Sequence, residues 1–333
     1  MDYKRLFTCA FFLLLLFGCK QKTVEVQHCA IDGTILNDEL MTRMPGPLRV
    51  YGDYLYWEDP FARDYFLRIH HLHDGLEIGQ MGKVGEGPEE FITGQAIGAC
   101  IDGRLFAVDV NGTTKGFLSI DSLVLNKEPF MTLSPEERVT LKRGKQVAKG
   151  IYLKTNPENS DHYFTAIIDG ASCEFGKYPI REWRKPIGGY EIYDAQRGLL
   201  AFCSYQFPYL SLYKRDGHRF NLVFEKADRD AYAVNGQHIT FKEPLLGVKD
   251  LCLSRDYLVT LQFEDLPDEN RPLTSGRNIN DRPHTVFVYN HSGELLKIVD
   301  LRMPIIRMAA DGRDNTLYVI GANPDFMLLK YAL

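Results

Sequence analysis

The sequence has no dominant charge. Its 333 residues include 39 Lys and Arg against 44 Asp and Glu, a formal net charge of −5. Without a basic excess there is no electrostatic footprint for a phosphate backbone, so nucleic acid is not an expected partner. Gly and Pro number only 28 and 16, too few for a collagen-like or low-complexity chain. No apolar run reaches the roughly 20 residues that a bilayer-spanning helix needs. There is no G-x-S-x-G elbow, no H-E-x-x-H and no C-x-x-C pair, so no catalytic residue and no cofactor is expected from motif alone. Apolar material is plentiful at 45%, with 18 Tyr and 20 Phe but only 2 Trp. That is ordinary globular composition, enough for one large domain or two medium ones.

The N-terminus is organised in zones. Lys4 and Arg5 precede a run from Leu6 to Phe17 that is almost wholly apolar, closed by Gly18-Cys19. A run this short fits the h-region of a signal peptide. Leu16-Phe17-Gly18-Cys19 resembles the lipobox of bacterial lipoproteins, with Phe17 bulkier than the usual residue. The resemblance implies acylation of Cys19 after cleavage of residues 1–18, giving a mature charge of −6, since Asp2, Lys4 and Arg5 are lost together. Several acyl chains hold a protein to a membrane far more firmly than one. The expected place is the cell envelope, with the outer membrane as the expected membrane. Residues 20–27 are mostly polar and read as a tether. The domain expectation is a signal peptide over 1–18, the lipidated Cys, tether and a ring-closing strand within 19–44, and one repeat domain over 45–333.

Five cysteines remain after Cys9 and Cys19: Cys29, Cys100, Cys173, Cys203 and Cys252. The number is odd, so at most two bridges could form. Cys100, Cys203 and Cys252 lie in apolar runs and read as small buried hydrophobes.

Past residue 45 the chain repeats a turn followed by an apolar strand. Examples are Gly52-Asp53-Tyr54-Leu55-Tyr56-Trp57 and Asp102-Gly103-Arg104-Leu105-Phe106. Six such units begin near 52, 103, 162, 198, 256 and 314, with uneven spacings of 51, 59, 36, 58 and 58. A second strand type runs into Asp74-Gly75, Asp216-Gly217 or Ser292-Gly293, dipeptides suited to hairpin turns because Gly takes a positive φ without steric cost. Alternation of Tyr209, Ser211 and Tyr213 with Leu210 and Leu212 has the strand period of two. Units of this length predict an all-β, six-bladed β-propeller, in which stacked four-stranded sheets stabilise one another. A β-sandwich pair is the competing architecture. The last unit is short, so Ile31 and Gly33-Thr34-Ile35-Leu36 are candidates for the strand that closes the ring.

The segment Gly82-Lys83-Val84-Gly85-Glu86-Gly87-Pro88-Glu89-Glu90-Phe91 resembles a G-x-G-P-G-E-F stretch of the TolB-like six-bladed propeller lipoproteins. Gly85, Gly87, Pro88, Glu90 and Phe91 match, while Glu89 replaces a glycine. The resemblance spans roughly residues 45–333 and implies the propeller fold, but no catalytic residue. Three glutamates and a Pro argue against a phosphate cradle. A structural turn is expected, with Gly85 and Gly87 permitting a sharp bend and Phe91 tucked into a neighbouring blade.

Other candidate chemistry is sparse. His71 and His73 would share one strand face, with His70 on the other, and are weak metal candidates lacking a third ligand; a solvated strand end is the plainer reading. The polar stretch Glu264 to Pro283 reads as a surface excursion suited to partner contact. Trp183 among charges reads as a packed inter-blade residue, with a ligand anchor as the alternative. Ser119, Ser211 and Ser254 read as serving the backbone. The expected function is a lipid-anchored binding platform for a protein, peptide or glycan. The alternatives are a hydrolase or lactonase-like enzyme with its site in the central channel, or a purely structural envelope protein.

Overall fold

The computed structural model describes residues 25–242, 246–264 and 279–333. Cys19 and most of the polar stretch after Glu264 lie outside the described residues. Among the described residues six sheets in sequence order form antiparallel meanders, and a separate two-stranded hairpin, Tyr232–Asn235 with His238–Phe241, lies between the fourth and fifth. Blade 1 comprises Leu48–Tyr51, Tyr54–Glu58, Tyr65–His71 and Glu77–Lys83. Blade 2 comprises Gly94–Ile101, Arg104–Asp109, Lys115–Ser119 and Phe130–Thr132. Blade 3 comprises Lys145–Ala148, Ile151–Thr155, Phe164–Ile168 and Ala171–Phe175. Blade 4 comprises Gly189–Asp194, Leu199–Ser204, Tyr209–Asp216 and Arg219–Ala227. Blade 5 comprises Asp250–Leu253, Tyr257–Gln262, Thr285–Asn290 and Leu295–Asp300. Blade 6 comprises Ile305–Ala310, Thr316–Ala322 and Phe326–Ala332.

The N-terminal segment supplies the remaining edges. Thr34–Asn37 pairs antiparallel with Phe326–Ala332 and gives blade 6 its fourth strand. Gln27–Ala30 adds a parallel fifth strand to blade 5, which sequence reading did not anticipate. Joining the two ends of the chain's repeat through neighbouring sheets closes the six-bladed propeller. The first strand of each blade is innermost, and these strands neighbour one another around the axis.

One strand assignment needs correction. The unit read near residue 162 is the third strand of blade 3, not its second. The equivalent second strand is Ile151–Thr155, which follows Lys149-Gly150. With that change the leading turns fall at Gly52, Gly103, Gly150 and Gly198, whose φ angles of 54°, 72°, 73° and 64° all demand glycine-like freedom. The short and long spacings on either side of residue 162 become nearly even. A turn followed by an apolar run marks a strand, but it does not say which strand of the meander.

Meander topology also separates two faces. Turns between strands 1 and 2, and between 3 and 4, lie on a hairpin face. Turns between strands 2 and 3, and the connections from blade to blade, lie on the opposite, connection face. The core lies between blades: Phe66, Leu67, Phe91, Leu105 and Leu118 join blades 1 and 2, for example.

Candidate functional site

The inner strands of all six blades surround an axial cavity of about 290 Å³, lined by Arg49, Cys100, Lys145, Glu191, Leu251 and Met308 among others. The inner strands come from positions spread over the whole repeat, which is why no local spacing announces this site.

Most acidic groups near the axis are committed to structure. Glu191 pairs with Lys145 at 2.5 Å across blades 3 and 4. Asp194 pairs with Arg197, which also donates to the Gly312 carbonyl. Asp250 is buried and accepts from its neighbour Leu251 N–H and from Met308 N–H on blade 6, both at 2.9 Å. Burial raises the Asp250 carboxyl, while Arg307, Arg49 and the two N–H groups oppose the rise. Glu58, at the end of the second strand of blade 1, accepts from Ala96 N–H of blade 2. Burial pushes its carboxyl up to about 7, against the pull of Arg49, this N–H and Arg307. Both acids thus staple one blade to the next.

Cys100 is the cavity's thiol. Burial pushes it far up, and Asp121 and Asp102 add to the effect, so the reactive thiolate is suppressed. Among the described residues the cavity lining contains no His and no Ser. Among the described residues no group of three His, Cys, Asp or Glu side chains is placed to hold a metal.

The residues singled out in sequence lie elsewhere. His71 ends its strand, exposed, with Nδ1 3.8 Å from Asp74 Oδ1. His73 is exposed in the following turn, so the two do not share a strand face: the strand stops at His71 to make the Asp74-Gly75 turn. His70 is the buried member. Its Nε2 accepts from Trp57 Nε1–H at 3.0 Å, and its Nδ1 lies 3.0 Å from the Gly75 carbonyl. Accepting from the indole puts the proton on Nδ1, which then donates to Gly75. Burial lowers the basicity of this ring.

The loop after blade 1 is held by its own side chains. Phe91 is buried between blades, 5.2 Å from the Phe66 ring and 6.1 Å from Phe130 of blade 2. Glu90 accepts from Gly87 N–H at 2.9 Å and pairs with Lys83 at 2.6 Å. Gly85 and Gly87 do not adopt the left-handed backbone that a sharp glycine bend would need. Their role is space, because a Cβ at either position would run into the Glu90 carboxylate. Pro88 lies in the same loop and lines an open groove between blades 1 and 2.

Trp183 is half-buried against the core of blades 3 and 4, with Lys185 Nζ 4.6 Å over its ring. Ser119 caps the short helix Ile120–Val124, and Ser211 and Ser254 bond main-chain carbonyls. Cys203 and Cys252 are fully buried, Cys100 is half-buried, and all five described cysteines are free.

Sequence reading missed a repeated polar anchor at the end of the second strand. Asp59, Asp109, Asn156 and Ser204 are all buried there. Asp59 accepts from Thr42 Oγ1–H and Phe61 N–H. Asp109 accepts from the N–H groups of Ile92, Thr93 and Asn111 at 2.8–3.1 Å. Each ties a loop of the connection face to its own or the adjoining connection. The signal was available as a polar residue six or seven positions after each leading glycine.

No protein-family model matches the chain, and no curated protein matches it. Solved structures do. A member of the DUF4221 family from Bacteroides vulgatus superposes with a TM-score of 0.55 at 10% identity, covering 93% of this chain and 98% of that one. Regucalcin from Agrobacterium tumefaciens, described as a calcium-binding protein, superposes with a TM-score of 0.50 at 12% identity, covering 93% and 96%. These likenesses show the six-bladed propeller fold.

Proposed function

We propose that the chain is a lipid-anchored envelope propeller of the TolB-like kind that serves as a binding platform for a protein, peptide or glycan, tied to the outer membrane through Cys19. The observation carrying the platform reading is a set of large apolar side chains left exposed on successive connection-face loops of blades 1 and 2. Met41 is 87% exposed, Phe61 54%, Ile92 49% and Val110 59%. These loops are not slack, since Asp59 and Asp109 hold them from beneath. Rigidly held apolar side chains suit protein or peptide contact, where a few anchors supply most of the affinity. The enzyme alternative is supported less well, because the axial acids are engaged in ion pairs or main-chain bonds, and among the described residues no nucleophile and base converge in the cavity lining.

Two experiments test the two parts. Cys19→Ala is expected to move the protein out of the membrane fraction, and equal retention of parent and variant overturns the anchor. Site-specific photocrosslinking in intact cells from positions 61 and 110 is expected to give a discrete adduct that position 217, on the hairpin face, does not. Identical patterns from all three positions overturn the platform.

A further inference from the structure

The charges around the axis are not evenly matched. The cations that line or rim the cavity are mostly taken: Lys145 by Glu191 at 2.5 Å, Arg197 by Asp194, and Arg313 by Asp53 at 2.9 Å and by Asp311. Arg49 and Arg307 differ. They stand on neighbouring inner strands, of blades 1 and 6. Each donates one Nη1–H to the carbonyl of the residue before it, Leu48 at 2.8 Å and Ile306 at 3.2 Å. Among the described residues neither has a carboxylate within ion-pair distance, and Arg307 Nε is buried without a partner. Arg68 and Arg104 also carry a buried, unpartnered Nε, but both hold a carboxylate, Asp64 at 3.3 Å and Glu137 at 2.7 Å.

A guanidinium offers five N–H donors in a rigid fork. Most of the ten find no acceptor among the described residues, and Arg307 Nε is buried, where an unmet donor is costly. The nearby acids Asp250 and Glu58 feel both arginines, but each is held by main-chain N–H groups and neither is an ion-pair partner of Arg49 or Arg307 among the described residues. Arg49 lines the cavity; Arg307 stands just outside its lining, next to Met308 and Ala309, which do line it, and both guanidiniums act on the same two acids, Glu58 and Asp250. The cavity's volume of about 290 Å³ lies at the small end of ligand pockets, so it suits a small molecule and not a folded partner.

We propose that Arg49 and Arg307 form a small-anion site in the axial channel, taking the carboxylate, phosphate or sulfate group of a small polar ligand. The site goes beyond the platform reading and depends on neither the anchor nor the connection-face loops. Bidentate hydrogen bonds from two forks would fix the oxyanion, with Asp250 setting the spacing of the inner strands from behind.

The test is calorimetric titration of the full chain, purified in detergent, with succinate, inorganic phosphate and sulfate, and with succinamide as the uncharged control. The parent is expected to bind at least one anion saturably and to ignore succinamide. Arg49→Gln and Arg307→Gln are each expected to weaken that binding by about tenfold or more, the scale of a lost charge-assisted contact. Arg313→Gln, at an arginine already paired at the rim, leaves it unchanged. Melting curves report folding, and Arg49→Lys keeps the charge while losing the fork, so a folded lysine variant should bind with reduced affinity. No saturable binding by the parent overturns the proposal, as does parental affinity in a folded Arg49→Gln or Arg307→Gln chain. Either result leaves the crosslinking outcome untouched, so the two readings fail separately.

Discussion

At Glu58, burial and two arginines pull on the same proton in opposite directions, and burial prevails. The carboxyl titrates near 7 in the folded chain, against an ordinary value of 4.5. Between those values the folded chain keeps a proton that the unfolded chain has released. Stability therefore falls as pH rises from about 4.5 to about 7, by on the order of 3 kcal/mol for this one group. Glu58→Gln is neutral at every pH and should flatten that part of the profile. Denaturant midpoints of parent and variant at about pH 5 and about pH 8 check it, and parallel slopes would show that Glu58 is not the titrating group. His70 works in the other direction. Its basicity is lowered by burial, so the stability it supports is present above the ordinary histidine value and drains away as pH falls below it.

Loops of the connection face owe their order to single carboxylates. Burial alone would raise the Asp109 carboxyl, but N–H groups of Ile92, Thr93, Asn111 and Gly112 hold it below the usual carboxylate range. Asp109→Ala strands at least three of those donors and is expected to cost about 2–3 kcal/mol, with Asp109→Asn milder; chemical denaturation measures both. The loop from Gly82 to Phe91 has the converse arrangement, with glycines making room for a carboxylate. Gly85→Val should lower the melting temperature by a few degrees. Adding Glu90→Ala should return part of the loss by removing the group that clashes. If the double variant melts lower still, space for Glu90 is not the reason for the glycine.

Across the whole ring, the seams between blades are unequal. Buried apolar clusters join blades 1 and 2, 3 and 4, 4 and 5, 5 and 6, and 6 and 1. Among the described residues no such cluster spans blades 2 and 3. Arg104 there stacks on Phe117 and pairs with Glu137 of the short helix Pro135–Thr140, while Lys149 pairs with Asp102. Exposed ion pairs contribute little to stability. Hydrogen exchange should accordingly find the lowest protection around this seam, and uniform protection of all six blades would contradict that ranking. Closure through Thr34–Asn37 is the other global feature. Ile35 faces solvent but its backbone pairs with Leu329, so Ile35→Pro should lower the melting temperature by several degrees, whereas Ile35→Thr should barely move it.

The blade pattern was legible because strand alternation and glycine turns are local properties, written over two to seven residues. Leu55 and Trp57, Tyr209 to Tyr213, and Phe91 beside its glycines all announced themselves in this way, and six units predicted six blades. Local patterns do not say where a strand lies within its sheet, which is why the run at residue 162 was misplaced and Gly150 overlooked. They also do not reveal why a glycine is needed: Gly85 looked like a bend and proved to be room for Glu90. The axial group was invisible for a further reason. Arg49, Asp250 and Arg307 share no spacing, and they are brought near one another only because ring closure sets the inner strands of blades 1, 5 and 6 around one axis. Alternation along a strand is dictated by the chirality and pleat of the backbone, which any short segment carries within itself. Convergence at the axis is decided by how six sheets stack, and that depends on the whole chain at once.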